Sequence, residues 1–115
     1  MPNDENAGAS NGVSMEHIAV TAADIRGRLR MHTTAHDLQI MGYMEIAKAE
    51  LRRVGVDADR ADPLIDYALE LFCKGEFNFD GNGDAYLSQF EHLRDSLKLS
   101  DHYRANVNDG GGTDG

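Results

Sequence analysis

Apolar residues recur at helical spacing in four separate stretches of this chain, and residues that start or stop helices stand between them. The first face runs Ile18, Ala22, Ile25, Leu29, with Thr21 or Asp24 able to start it. The second follows Thr33-Thr34 and combines Leu38 and Met41 with Ile40, Met44, Ala47, Leu51 and Val54. Lys48, Arg52 and Arg53 suit the negative end of its dipole, and Gly55 is a natural stop. Asp62-Pro63, a cap followed by proline at the first helical position, opens the third. Its face is Leu64, Ile65, Ala68, Leu69, Phe72, Cys73, and Gly75 is its expected end. The fourth begins at Ser88 and shows Phe90, Leu93, Leu97. The spacing predicts helices near 18–31, 36–54, 62–74 and 88–98, an all-α four-helix domain over residues 16–103. The Met and Leu stripes are expected to be its core.

Outside that domain there is little to bury. Residues 1–15 and 104–115 are mainly Asn, Asp, Gly, Ala and Ser, and ordering such segments costs about 1–2 kcal/mol per residue with no apolar area in return. Both are expected to be disordered tails. A chain of 115 residues holds one core, not two.

Charge narrows the function classes. The formal net charge is −9, and residues 54–101 hold eleven acids against four bases. Such a surface repels nucleic acid and anionic membrane, and it suits divalent cations or basic proteins. Cys73 is the one cysteine, which excludes an internal disulfide framework and cysteine-rich zinc sites. No apolar run is long enough for a membrane helix, and MPNDENAGASNG has neither the basic start nor the apolar core of a signal peptide. A cytoplasmic location is the expectation.

One constellation carries chemistry. Counting from Asp80 in F-D-G-N-G-D-A-Y-L-S-Q-F-E, oxygen-bearing side chains fall at positions 1 (Asp80), 3 (Asn82), 5 (Asp84), 9 (Ser88) and 12 (Glu91), with Leu87 at position 8. This resembles the calcium-binding loop of the EF-hand family, set between two helical patterns. A hard cation takes six to eight oxygens at about 2.3–2.6 Å, which a loop coiled around it supplies from alternate residues. The resemblance implies Ca²⁺ held by Asp80, Asn82, Asp84, the Tyr86 carbonyl, Ser88 and the bidentate Glu91. Three features depart from the family pattern: Ala85 replaces the usual glycine at position 6, His92 stands at position 13, and Gly75 breaks the incoming helix early. No partner loop is evident, since His32–Asp37 is too short and residues 56–63 lack the ligands. A second reading makes Phe77-Asn78-Phe79 and Ala85-Tyr86-Leu87 two short strands around a Gly-rich turn.

Other features read plainly. His32 and His36 stand four apart but nothing completes a zinc site, so a helix-end or surface pair is expected. Arg26, Arg28 and Arg30 read as a solvated helix face paired with Asp24 and Glu16. Cys73 reads as a buried thiol. No phosphate loop, nucleophile elbow or carboxylate pair points to an enzyme. The expected function is a small acidic calcium-binding protein that couples this loop to a helical surface for a protein partner. The alternative is an acidic inhibitor of a nucleic-acid-binding protein, presenting Asp57, Asp59, Asp62 and Asp66 in place of phosphates.

Overall fold

A computed structural model describes residues 19–105. They form four helices, α1 (Ala22–Arg28), α2 (Asp37–Arg53), α3 (Pro63–Glu76) and α4 (Gly83–Lys98), with short 3₁₀ turns at Phe79–Gly81 and Asp101–Tyr103. This is the small all-α domain that the stripes predict. The expected tails lie outside the described residues, save Ala105 and Arg104, which are ordered.

Three of the four helices begin where a side chain satisfies a free N–H group of the first turn; α2, entered from His36, has no such cap. Thr21 and Asp24 form a reciprocal capping box on α1: the Asp24 N–H donates to the Thr21 hydroxyl at 3.2 Å, and the Thr21 N–H donates to the Asp24 carboxylate at 2.9 Å. Asp62 caps α3 by accepting from the Leu64 N–H at 2.8 Å. Helix α1 ends at Arg28, short of the expected Met31, because Arg30 adopts left-handed backbone (φ 59°) and turns the chain.

The other end of the domain departs most from expectation. Helix α3 runs through Gly75 to Glu76, and α4 starts at Gly83 rather than Ser88. Gly75 stops nothing. A Cβ there would lie 2.4 Å from Leu87 Cγ and Cδ2, so the glycine lets α3 and α4 pack closely. Gly83 is held harder: a Cβ would meet the Gly75 carbonyl oxygen at 2.7 Å and Asn78 Oδ1 at 2.8 Å. That Oδ1 accepts from the Gly83 N–H at 2.9 Å and so starts the last helix. Asn78 and Asp80 take left-handed backbone (φ 52° and 55°), which lets a six-residue turn reverse the chain. The segment expected as an open loop or as two strands is therefore a tight turn followed by helix. Among the described residues the one β pairing is an isolated bridge, Val56 to Arg104.

The core draws on all four helices. Ile25, Ile40, Leu51, Ile65 and Cys73 are fully buried, with Phe90 and Leu97 from α4 and Val56 from the α2–α3 link. Two members of the expected α2 stripe are not core. Leu38 is 82% exposed and Met41 51%, while Ile40, Met44, Ala47 and Leu51 are buried. Leu64, on the expected α3 face, is also exposed. The segments flanking the helices are tied by hydrogen bonds. The Val20 N–H donates to the buried Asp66 at 3.3 Å, and the Asp57 and Ala105 N–H groups donate to the Tyr103 and Gly55 carbonyls at 2.8 Å each.

Three glycines should therefore respond differently to alanine. Gly83→Ala pushes a methyl into backbone and is expected to cost at least about 2 kcal/mol, and Gly75→Ala costs less only as far as Leu87 can move. Gly42, inside α2 with nothing within 4 Å of its Cβ position, should gain about 0.5–1 kcal/mol as alanine. Urea unfolding of the three variants checks this order.

Candidate functional site

The α3–α4 turn holds the first of the expected ion ligands, Asp80 and Asn82, and an arginine from the end of the α1 segment reaches it. Three arginines of that segment each reach a different part of the domain. Arg26 bonds Asp37 at the start of α2, Arg28 bonds Glu70 of α3 at 3.0 Å, and Arg30 bonds both oxygens of Asp80 at 3.0 and 3.3 Å. Every pair joins a different element to α1. The expected pairing with Asp24 is not what forms, because Asp24 is engaged in the α1 capping box, where its bond from the Thr21 backbone holds its carboxyl below the usual range. Glu16 lies outside the described residues.

A second layer of cations covers the turn. The Arg30 guanidinium lies 4.8 Å from the Phe79 ring centroid, and Lys74 Nζ lies 5.1 Å from Phe79 and 5.5 Å from Tyr86. Lys74 also bonds Glu70 at 2.9 Å. Position 1 of the expected calcium loop is thus already answered by a guanidinium.

The remaining ligands do not converge. Asn82 donates from its amide to the Asp80 carbonyl at 3.2 Å, which braces the turn. Asp84, Ser88 and Glu91 stand at helical spacing on the exposed side of α4, and Asp84 and Glu91 are about 10 Å apart along its axis. The Tyr86 carbonyl lies within the helix, where the backbone ladder uses it. Among the described residues no group of three His, Cys, Asp or Glu side chains is placed to hold a metal. In this conformation the six residues do not fit Ca²⁺: one is paired, one braces the turn, and the rest are spread along a helix. Ala85 shows why locally. The expected loop needs left-handed backbone at that position, whereas a helix suits alanine best of all residues.

The acids expected to imitate phosphates are also occupied. Asp66 is buried, 7% exposed, and accepts from Val20. Asp62 caps α3 and accepts from the Tyr103 hydroxyl at 3.0 Å. That bond and partial burial raise the tyrosine pKa, burial being the larger cause. Asp59 pairs with Arg52 at 3.2 Å, and Asp57 accepts from the Asp59 N–H and lies 3.8 Å from Arg60. His32 and His36 are exposed; the His36 ring edge meets Phe77 with centroids 6.2 Å apart. Cys73 is buried as expected.

Sequence reasoning missed two grooves. One, about 430 Å³, lies between the start of α1 and the outer side of α2 and is lined by Thr21, Ala22, Ala23, Met41, Met44 and Glu45. The other, about 260 Å³, lies among α2, α3 and α4 over Phe72, Leu87 and Phe90. The signal was present in α2. Leu38 and Met41 sit two and three residues from Ile40 and Met44, so the apolar arc is wider than one buried face. Compared with known family models, characterised proteins and solved structures, the chain matches none.

Two outcomes follow. Millimolar calcium should leave the far-ultraviolet dichroism and tyrosine fluorescence unchanged. A saturable change lost in Glu91→Gln would instead show that the first turns of α4 unwind into the twelve-residue loop. Burial, with Glu70 and Glu76 adding, pushes the Cys73 thiol from 9.0 up to about 12. The unfolded thiol ionises first, so stability falls as pH rises from about 9 toward 12. Cys73→Ser should flatten that part of a pH–stability curve, and iodoacetamide at pH 8 should label the wild-type thiol only as fast as the protein opens.

Proposed function

We propose that this domain is a non-catalytic protein-binding module that works through apolar helix surface left uncovered by its own fold. The observation that carries the reading is the second face of α2. Ile40, Met44, Ala47 and Leu51 satisfy the core, yet Leu38, Met41 and Ile46 stay 82%, 51% and 49% exposed on the same helix. A helix that keeps large apolar side chains on both sides is suited to a neighbour on each. Tyr67 on α3 and Leu99 after α4 extend the exposed apolar set. Methionine at such a surface adapts to the shape of a partner. The calcium coupling expected from the sequence is not needed for this role, and the pairing of Asp80 with Arg30 favours a turn that braces the domain.

The side chains of this surface should be separable from folding. Leu38→Ser combined with Met41→Ser is expected to shift the melting temperature by no more than a degree or two, whereas Ile40→Ala should cost about 2–5 kcal/mol. A photo-reactive amino acid at position 38 should crosslink a discrete protein in the cells the chain comes from, and one at the exposed Asp59, which lines neither groove, should not. Equal labelling from both positions would overturn the reading.

A further inference from the structure

Among the described residues, the groove among α2, α3 and α4 is set apart by its charge. Nearly every carboxylate of the described residues has a partner, whether an arginine or lysine, a backbone N–H, or both. Glu76, Asp84 and Glu91 have neither ion pair nor hydrogen bond among the described residues. Two of these three, Glu76 and Glu91, line this one groove over an apolar floor made by Phe72, Leu87 and Phe90 and edged by Ile46.

Placement makes the first of them costly to the fold. Glu76 is the last residue of α3, where the helix presents the negative end of its dipole and a carboxylate is disfavoured. A cation at that spot would answer the dipole and the carboxylate together. Glu50, also on the groove, is already met by Arg53 at 2.6 Å and by Arg94, the one cation of the lining, at 3.8 Å; Arg94 is itself held by Asp95 at 3.1 Å, so these charges are accounted for. The unanswered charge is that of Glu76 and Glu91. The volume, about 260 Å³, lies below the ~300 Å³ at which pockets for small organic ligands begin. It suits a single long side chain.

We infer that this groove receives a lysine or arginine from an amphipathic segment of a protein partner, its aliphatic stem against Phe72, Leu87 and Phe90 and its cation between Glu76 and Glu91. Long basic side chains bury their stems on apolar surface while the charged head stays near solvent, which is the division the groove offers. This inference rests on the protein-binding reading above and adds the chemical class of the partner and the place where it docks.

The test is a titration of the full-length, ¹⁵N-labelled protein with a short amphipathic Leu/Lys peptide, its Leu/Glu counterpart, and a Leu/Lys peptide of the same composition scrambled to remove the apolar face. The amphipathic Leu/Lys peptide should bind, with shifts centred on the amides of residues 72–76 and 87–91, and the other two should bind at least about tenfold more weakly. Glu76→Gln and Glu91→Gln should each weaken binding about threefold, and more at low salt, as expected of a charge pair formed by exposed carboxylates. Asp84→Asn, the unpaired carboxylate outside the groove, should change affinity little. Equal binding of the Lys and Glu peptides, or equal effects of all three substitutions, would overturn the inference. Shifts confined to Leu38, Met41 and Ala22 would overturn it as well, while leaving the protein-binding reading intact. The absence of binding at either groove, together with position 38 and position 59 crosslinking alike, would overturn both.

Discussion

The close approach of α3 and α4 at two glycines is the constraint on which the rest depends. With the Gly83 Cα against the Gly75 carbonyl and the Asn78 amide oxygen on the Gly83 N–H, the chain reverses in six residues and α4 starts at once. That early start lays Phe90 and Leu97 on the core and Phe90 against Phe72, their centroids 5.1 Å apart and the rings edge-on. It also places Leu87 beside Gly75, which makes the floor of the smaller groove. A turn longer by a few residues would slide α4 outward, lose the Phe72–Phe90 contact and open the core to water.

The arginines of the α1 segment make that turn part of the whole domain. Helix α1 has seven residues, too few to be stable alone in water. Its Ile25 and Leu29 are buried, and Arg26, Arg28 and Arg30 reach to α2, α3 and the turn. Exposed ion pairs of this kind contribute only about 0–1 kcal/mol each. Their value here is geometric, since each favours one seat for a helix that apolar contact alone would hold loosely. Burying Asp66 under the Val20 N–H fixes the start of the same segment.

How much of this was legible follows from the range of each interaction. The helices were legible because their signals are local: apolar spacing, the Asp62-Pro63 cap, the basic last turn of α2. The start of α4 was not, because D-G-N-G-D supplies oxygens at alternate positions whether it encircles an ion or reverses a chain. The two are told apart by Gly75 against Gly83 and by Arg30 against Asp80, contacts that span 8 and 50 residues of sequence. Likewise the acids of 57–66 looked available because nothing in their own neighbourhood names Tyr103 or Val20 as partners. The exposure of Leu38 was half legible. Adjacent stripes on α2 announce an arc too wide for one interface, but not which edge of it stays outside.

Those long-range pairings turn the net charge into a specific question. A large negative formal charge suggests a generally acidic surface, yet most of the folded domain's carboxylates are spent on caps and ion pairs. What remains unanswered is a few side chains, and the position of one runs against helix stability. Selection for stability alone would favour a lysine or glutamine over Glu76 at the end of α3, since either removes the repulsion with the dipole and neither meets a steric obstacle at an exposed site. A residue that is worse than its ordinary replacements for folding, in an apolar hollow lined by a second unpaired carboxylate, is best explained by something that binds there. The same reasoning does not extend to Asp84, which lies in the first turn of α4 where a carboxylate is favourable. Glu50 and Asp95 also lie in the last turns of their helices but are met by arginines, so it is the unpaired Glu76, rather than the charge total, that supports the proposed reading.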